Sequence, residues 1–478
     1  MGIFRNREQL LSHGNIEGRQ IVLDILEAGL ASGDPYENVK KALRIENGKL
    51  LIGSDEFPLG PMTRCSAAYP RPFPPAPLAF DLDRIGHIYL VGGGKAAQRQ
   101  AEAVEDILGD LICEGHVNAK KGDRVALKRA TVTLAGHPNP DEDSVAGARR
   151  IVEIEQKAQP GDIVIMSESG GGTALMTLPA PGLTLQDVQD TNRILYLEHG
   201  APMPVANAVR FLITTLRQKH SRFVGDATLI MLSTDERPPE TPEVLLKPRS
   251  VSDEYEHAIY LLKEYGCWDE IPEAVRQHLL RKDPAYGTLR QEEWYDKPHF
   301  RIRVMGPEYM LEAAELRARA LGLQGTVLAS SMSNLEARVV GDAMGHIGNE
   351  VARYGRPFQA PCAFMLGGEL VVNAGPGAGQ GGRNSEFVVG ASLRIAGNRR
   401  IEIGASDSDG SDGPTCYAGG IVDGYTVERA TDAGLDVGEA LRAHDTCGLL
   451  CSLGDAFDTG ILKTNVQDLR VIYVGAES

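Results

Sequence analysis

Two stretches near the end of the chain carry the residue types most suited to chemistry. They are Gly379-Gln380-Gly381-Gly382-Arg383-Asn384-Ser385-Glu386 and Asp407-Ser408-Asp409-Gly410-Ser411-Asp412-Gly413-Pro414-Thr415. Together they supply a glycine-flanked arginine, an amide and several carboxylates. Glycines let backbone N–H groups approach an anion, an arginine neutralises phosphate charge, and clustered aspartates can hold a divalent metal. The combination predicts phosphoryl-transfer chemistry, with Asp409 and Asp412 as candidate metal ligands. Asx-turn caps without chemistry are the alternative reading of the same two residues.

The first half holds further clusters, each following an apolar run. In Val91-Gly92-Gly93-Gly94-Lys95-Ala96-Ala97, a Walker loop fails, because Tyr89 stands where its first glycine belongs and Ala96 replaces the metal-binding hydroxyl. The dinucleotide pattern G-x-G-x-x-A is met over residues 92–97, but no carboxylate closes a second strand about 20 residues on. What remains is an anion-binding turn at a helix start, built on Gly93 and Gly94, with Lys95 as a point charge. A tight strand–helix turn with a solvated lysine is the plain alternative. In Gly136-His137-Pro138-Asn139-Pro140-Asp141, His137 could bond a substrate, or the segment could simply start a helix. Ser169-Gly170-Gly171-Gly172-Thr173 reads as a phosphate or oxyanion cradle. Asn207 and Arg210 fall one helical turn apart, and Asp235 follows a strand end, where a carboxylate can orient a hydroxyl or act as base. Gly367-Gly368-Glu369 and the run Lys463-Thr464-Asn465-Val466-Gln467-Asp468 add polar clusters to the second half.

The elements that must position these residues alternate as in an α/β protein. Strands are predicted at 87–91, 130–135, 162–166, 227–232, 300–304, 326–329, 363–372, 400–404 and 469–474. Helices are predicted at 97–111, 144–157, 185–199, 204–219, 307–321 and 334–354. At 478 residues two domains are expected. The weakly patterned stretch 281–299 puts the break between domains 1–290 and 291–478. The composition, 42% hydrophobic and 24% charged, is that of a soluble globular protein. A net charge of −16 argues against nucleic-acid binding. No apolar run approaches the roughly 20 residues of a membrane span, and the start lacks a signal-peptide core. Seven scattered cysteines fit reduced thiols, so a cytoplasmic protein is expected. Cys447 and Cys451, one turn apart, read as core packing.

The order of these motifs resembles the type II glycerate kinases, or glycerate 2-kinases, with their C-terminal MOFRL domain, formerly often named hydroxypyruvate reductases. The resemblance runs over about residues 21–474 and rests on Gly94-Lys95-Ala96-Ala97, residues 136–141, residues 169–175 and Gly367-Gly368-Glu369. It is strongest at Gly381-Gly382-Arg383-Asn384, at residues 409–415 and at residues 464–468. It implies an N-terminal Rossmann-like three-layer α/β domain, a smaller MOFRL-type α/β domain and a cleft between them. The activity it implies is transfer of the γ-phosphoryl group of ATP, with Mg²⁺, to the 2-hydroxyl of glycerate, an alcohol-group phosphotransferase reaction. Lys95 and Arg383 would then stand at the reacting phosphate, with Asp235 as the catalytic carboxylate. Gly93, Gly94, Ser169, Gly170, Gly171, Gly172, Thr173, Asn384, Asp409, Asp412 and Asn465 would bind the nucleotide. His137, Asn207 and Arg210 would hold the acceptor. The partners implied are a hydroxy acid and a nucleotide, with neither nucleic acid nor membrane; a homodimer is compatible with this.

Departures from the family pattern concentrate in one region. Val205-Ala206-Asn207-Ala208-Val209-Arg210-Phe211 keeps the Asn and Arg but lacks the Glu that family members usually carry. Residues 215–221 offer no Lys-Gly-Gly, and in residues 233–250 Asp235 alone is retained, beside added Arg237, Lys247 and Arg249. Gly460-Ile461-Leu462-Lys463 replaces a Gly-Pro-Thr-Gly. These changes point to a divergent member acting on glycerate or on a larger or more anionic 2-hydroxy acid. An NAD(P)-dependent hydroxypyruvate-type reductase and a catalytically altered, kinase-like ligand-binding protein are the alternatives.

Overall fold

The structure is a computed structural model describing residues 2–62, 73–234, 253–375, 377–462, 464 and 466–477, with the side chains of residues 203 and 204 left aside. It divides into two compact units. One comprises Pro35–Thr234 and the described part of Pro239–Val304; the other joins Met1–Asp34 to Met305–Ser478.

The larger unit is built on a seven-stranded sheet. Its strands are β1 (Leu59–Gly60), β2 (Ile88–Gly93), β3 (Ile112–Lys120), β4 (Thr131–Ala135), β5 (Ile163–Glu168), β6 (Thr228–Thr234) and β7 (His299–Met305), in the spatial order β1-β7-β6-β5-β2-β3-β4. The pairs β2/β3, β3/β4, β2/β5 and β5/β6 are parallel, and β1/β7 is antiparallel. Every residue of β2, β5 and β6 is buried, the near-continuous apolar run that a sheet covered on both faces demands. Helix α1 (Ala97–Leu108) follows β2, α2 (Glu142–Glu155) follows β4, and α3 (Met203–Ile213) precedes β6. The parallel strands run β6-β5-β2-β3-β4, so the chain starts in the middle and reverses direction between β2 and β5. That is the Rossmann order, whose reversal point opens a crevice at the carboxyl ends of those two strands.

The second unit has a five-stranded sheet of β8 (Gln324–Ala329), β9 (Cys362–Leu366), β10 (Ile401–Asp407), β11 (Gly419–Asp423) and β12 (Asp468–Val474), ordered β8-β9-β12-β10-β11. Only β8/β9 is parallel; the other pairs are antiparallel. Central strand β12 shows the period of two. Leu469, Val471 and Tyr473 join the core formed with the N-terminal helix Ile16–Ser32 and α4 (Pro307–Ala320). Ile472 and Val474 face the opposite core under α5 (Ala337–Tyr354), α6 (Arg383–Ile395) and α7 (Thr446–Leu453).

The partition differs from a single break at residue 290 in two ways. Strand β7 pairs with β1, which keeps the chain in the first unit through Val304. The first 34 residues belong with the second unit, because Ile16–Ser32 packs Val22, Leu23 and Leu26 into its core. An ion network fixes that helix. Buried Arg19 donates from Nε to Asp423 (2.6 Å) and from Nη1 to Asp455 (2.7 Å), and Asp455 also meets His13 and Arg429.

Two outcomes follow from this network. Arg19→Ala strands two buried carboxylates and should cost the second unit about 3–5 kcal/mol, read as a lower denaturant midpoint. Glu402, beside Asn15, has its carboxyl pushed up to about 8 by burial against the opposing Asn15 hydrogen bond. Its neutral form therefore contributes stability that is complete below its ordinary value of 4.5 and is lost as pH rises through about 8. Glu402→Gln should flatten the decline in melting temperature across that window; an unchanged slope would contradict the assignment.

Candidate active site

At the reversal point the loops after β2 and β5 bond to one another. Lys95 N–H donates to Gly170 O (2.9 Å), Ala96 N–H to Ser169 Oγ (2.9 Å), and Ser169 N–H to Gly93 O (3.4 Å). Close approach requires the glycines. Gly94 sits at φ +141°, and a Cβ there would lie 2.2 Å from Ser169 Oγ. Gly171 sits at φ +82°, and a Cβ would come 3.0 Å from His137 Nε2 and 3.2 Å from Lys95 Cγ. The structure thus brings Gly93, Gly94, Lys95, His137, Ser169, Gly170 and Gly171 together, with Gly172 and Thr173 opening the short helix that follows. Lys95 is exposed, and no carboxylate among the described residues pairs with it.

The surroundings are cationic. His137 is held down to about 4 by burial first, then by the charges of Lys95, Lys120 and Arg210, so it is neutral at pH 7. Burial and then Arg217 lower Arg210, on α3, to about 10. Asn207, also on α3, keeps a buried Oδ1 without a hydrogen-bond partner among the described residues, an acceptor suited to a ligand hydroxyl. Arg217 was not singled out from sequence. It is buried, donates from Nη1 to Ser169 O (2.9 Å) and pairs through Nη2 with buried Glu168 (3.0 Å). It therefore fixes the glycine loop from beneath, and nothing in its sequence surroundings, the polar run Arg217-Gln218-Lys219-His220, marks it out. Asp141 at the end of the His137 segment caps α2, as the helix-start reading expected. Asp235 and Asn465 lie outside the described residues, as do Arg237, Lys247 and Arg249.

In the second unit, Arg383 is the first residue of α6, behind the glycine run. Its Nε meets Asp468 (2.7 Å), its Nη2 meets Asp407 (2.6 Å) and its Nη1 meets Glu369 (3.0 Å). Burial opposes its charge, but Asp468 and then Asp407 outweigh burial and raise its pKa. Asn384 is buried and donates to Asp468 (3.0 Å). A cavity of about 520 Å³ opens beside Arg383, lined by residues 379–382, Leu370, Pro414 and His444.

The two candidate metal ligands have other occupations. Asp412 is buried and accepts the N–H groups of Asn384 (2.9 Å) and Ser385 (2.8 Å), which caps α6. Asp409 accepts from Ser411 N–H (2.9 Å) and Oγ (3.0 Å) in an Asx turn. Both oxygens of Asp412 are thus taken up by the N-terminus of α6, and Asp409 Oδ1 by its own turn. Among the described residues no group of three or more His, Cys, Asp or Glu side chains converges as a metal site. Nor does Asp412 act as a nucleotide contact here, because its carboxylate fills the helix N-terminus itself.

The cationic loop of the larger unit sets one expectation. The NMR titration of His137 should show a midpoint near 4 rather than 6.5; a midpoint near the ordinary value would mean that the ring is not buried beside these cations.

Comparison with known proteins agrees with this geometry. The domain of unknown function DUF4147 matches residues 21–280, and the MOFRL family matches residues 362–468. A glycerate 2-kinase from Pyrococcus horikoshii is 31% identical, covering 95% of this chain and 97% of its own length. A protein of Agrobacterium vitis, 30% identical over 97% of this chain and 96% of its own, carries only the provisional name of a hydroxypyruvate reductase. The crystal structure of a glycerate kinase from Thermotoga maritima superposes with a TM-score of 0.76 at 26% identity, covering 95% of this chain and 99% of that one. With a matched family domain over more than half of its length and a relative spanning nearly all of it, the chain belongs to the glycerate 2-kinase family.

Proposed function

We propose that the chain transfers the γ-phosphoryl group of ATP to the 2-hydroxyl of glycerate or a closely related 2-hydroxy acid. The observation that carries this reading is the cationic crevice at the β2/β5 reversal, where glycine backbone and Lys95, which no carboxylate among the described residues pairs, offer an anion site. Phosphoryl transfer asks mainly for positioning and charge neutralisation, and such a loop supplies both. Lys95 binds a phosphoryl oxygen, with residues 169–173 and Gly93–Gly94 as the backbone cradle. Neutral His137 and Asn207 hydrogen-bond the acceptor, and Arg210 neutralises its carboxylate. Arg383, in the second unit, is assigned to an anionic group of a substrate, with buried Asn384 holding its partner Asp468. Asp235, next in sequence after β6, is the candidate to receive the hydroxyl proton. Mg²⁺ would enter with the nucleotide, since it is held largely by phosphate oxygens and water. No step is assigned to a protein-bound ion. The site of action is cytoplasmic in this reading, and a homodimer is compatible with it.

The test is ADP release from Mg·ATP across a panel of 2-hydroxy acids beginning with D-glycerate. Turnover should fall about 100-fold or more in Lys95→Ala, the scale of losing one preorganised charge contact. Nucleotide binding without turnover on any acid would sink the reading. The Rossmann strand order and the G-x-G-x-x-A turn favour a nicotinamide reductase as second reading. However, β3 ends on Lys120, where a ribose-binding carboxylate would be needed for NAD. A flat absorbance trace with hydroxypyruvate and either NADH or NADPH removes that alternative.

A further inference from the structure

Arg383 poses a problem for any ligand that is to use it. All three donor positions of its guanidinium face carboxylates, and Arg470 adds a second cation by pairing with Asp468 (2.5 Å). Two cations thus face three carboxyl groups: Asp407, Asp468 and Glu369. A phosphoryl or carboxylate group cannot approach Arg383 favourably until one carboxylate leaves.

The three are not equivalent. The Asp468 side chain is 0% exposed and Asp407 4% exposed, whereas that of Glu369 is 51% exposed. Asp468 is also bound by Asn384 and Arg470, and Asp407 accepts Asp409 N–H (2.9 Å). Removing either would strand buried polar groups. Glu369 sits just beyond the end of β9, with its backbone pinned: its N–H donates to Ser333 Oγ (3.0 Å) and its carbonyl accepts Asn334 N–H (3.0 Å). Of the three carboxylates its side chain alone reaches solvent, at the edge of a loop that these backbone bonds hold in place. A half-exposed ion pair contributes little to stability, so its exchange is cheap. Arg383 also lines the cavity beside the glycine run, so the position that Glu369 would vacate adjoins space for a ligand.

We infer that Glu369 is the exchangeable counter-ion of Arg383, holding its Nη1 edge until an anionic oxygen of a substrate replaces it. Asp407 and Asp468 act as positioning residues that keep the guanidinium plane fixed throughout. Glu369 thereby sets how strongly an anion must bind in order to engage Arg383, which makes it a specificity-determining residue. The inference rests on the proposed anion-binding role of Arg383.

The test is titration calorimetry with tripolyphosphate and, separately, with D-glycerate, on wild type, Glu369→Gln, Glu369→Asp, Arg383→Gln and the double Glu369→Gln/Arg383→Gln variant. Glu369→Gln should tighten binding of one of the two probes about two- to five-fold, the scale of a half-exposed pair. Which probe responds identifies the group as phosphoryl or carboxylate. The gain should vanish in the double variant when it is compared with Arg383→Gln. Glu369→Asp, which withdraws the carboxylate by one methylene, should give a smaller gain and needs no change at Arg383, so the test survives if Arg383→Gln fails to fold. Unchanged or weaker binding of both probes in Glu369→Gln overturns the proposal, as does an equal gain in the Arg383→Gln background. If Arg383→Gln alone leaves binding and turnover intact, the role of Arg383 fails, and the exchange fails with it. Loss in Arg383→Gln without any gain in Glu369→Gln overturns only the exchange.

Discussion

The chemistry of the larger unit depends on one topological constraint, the reversal of strand order between β2 and β5. In an open parallel sheet, neighbouring strands normally send their connections the same way and close over their own ends. Where the order reverses, the two connections diverge and leave backbone amides facing a gap. The chain fills that gap with glycine, because the loops after β2 and β5 must hydrogen-bond each other through Lys95 N–H and Ala96 N–H at distances that no Cβ would permit. The cations then gather around a shape that backbone geometry has already made. Arg217 illustrates the dependence: its guanidinium binds Ser169 O and Glu168 from below and so stiffens the cradle from within.

The second unit solves the opposite problem. There the polar groups come from carboxylates placed at the ends of buried strands: Asp407 closes β10 and Asp468 opens β12. Because β10 and β12 pair in antiparallel register with Asp407 opposite Asp468, two acids lie side by side in the interior. Two such groups cannot both stay ionised at low cost. Asp407 is accordingly raised by burial and by Asp468, while Asp468 stays low because Arg383 and Arg470 outweigh its burial. Arg383 is the cation that the register of that strand pair calls for.

Much of this was legible in the sequence, and the gaps have physical causes. Apolar runs located β2, β5, β6 and β12 to within a few residues, since strands buried on both faces leave an unbroken apolar signature. Strand β3 carried no such signal, because Glu114, Gly115, His116 and Asn118 interrupt it while the chain around them supplies polar partners, as Asn118 shows by donating to Leu175 O (2.7 Å). The hairpin joining Leu43–Glu46 to Lys49–Ile52 was marked by Asn47-Gly48, whose positive φ values suit a two-residue turn, yet its strands are too short to show a period. Helix α6 went unread because the glycine run before it masks its start and because its cap, Asp412, comes from 28 residues away. That distant cap is also why Asp412, in a polar loop, reads as a candidate metal ligand from sequence. Spacing alone does not say which carboxylate is already spoken for by a helix end. The three partners of Arg383 come from three separate segments, and only tertiary structure reveals them.

The second unit also has an order of manufacture written into it. Its helix Ile16–Ser32 leaves the ribosome long before the strand at the centre of its sheet, β12, more than 400 residues further on. Leu23 and Leu26 have no finished core to enter until Val471 and Tyr473 arrive. The larger unit, encoded between them, can complete its own sheet first. A ribosome that stopped before residue 468 would release a chain with one folded unit and an apolar helix lacking its partner strand.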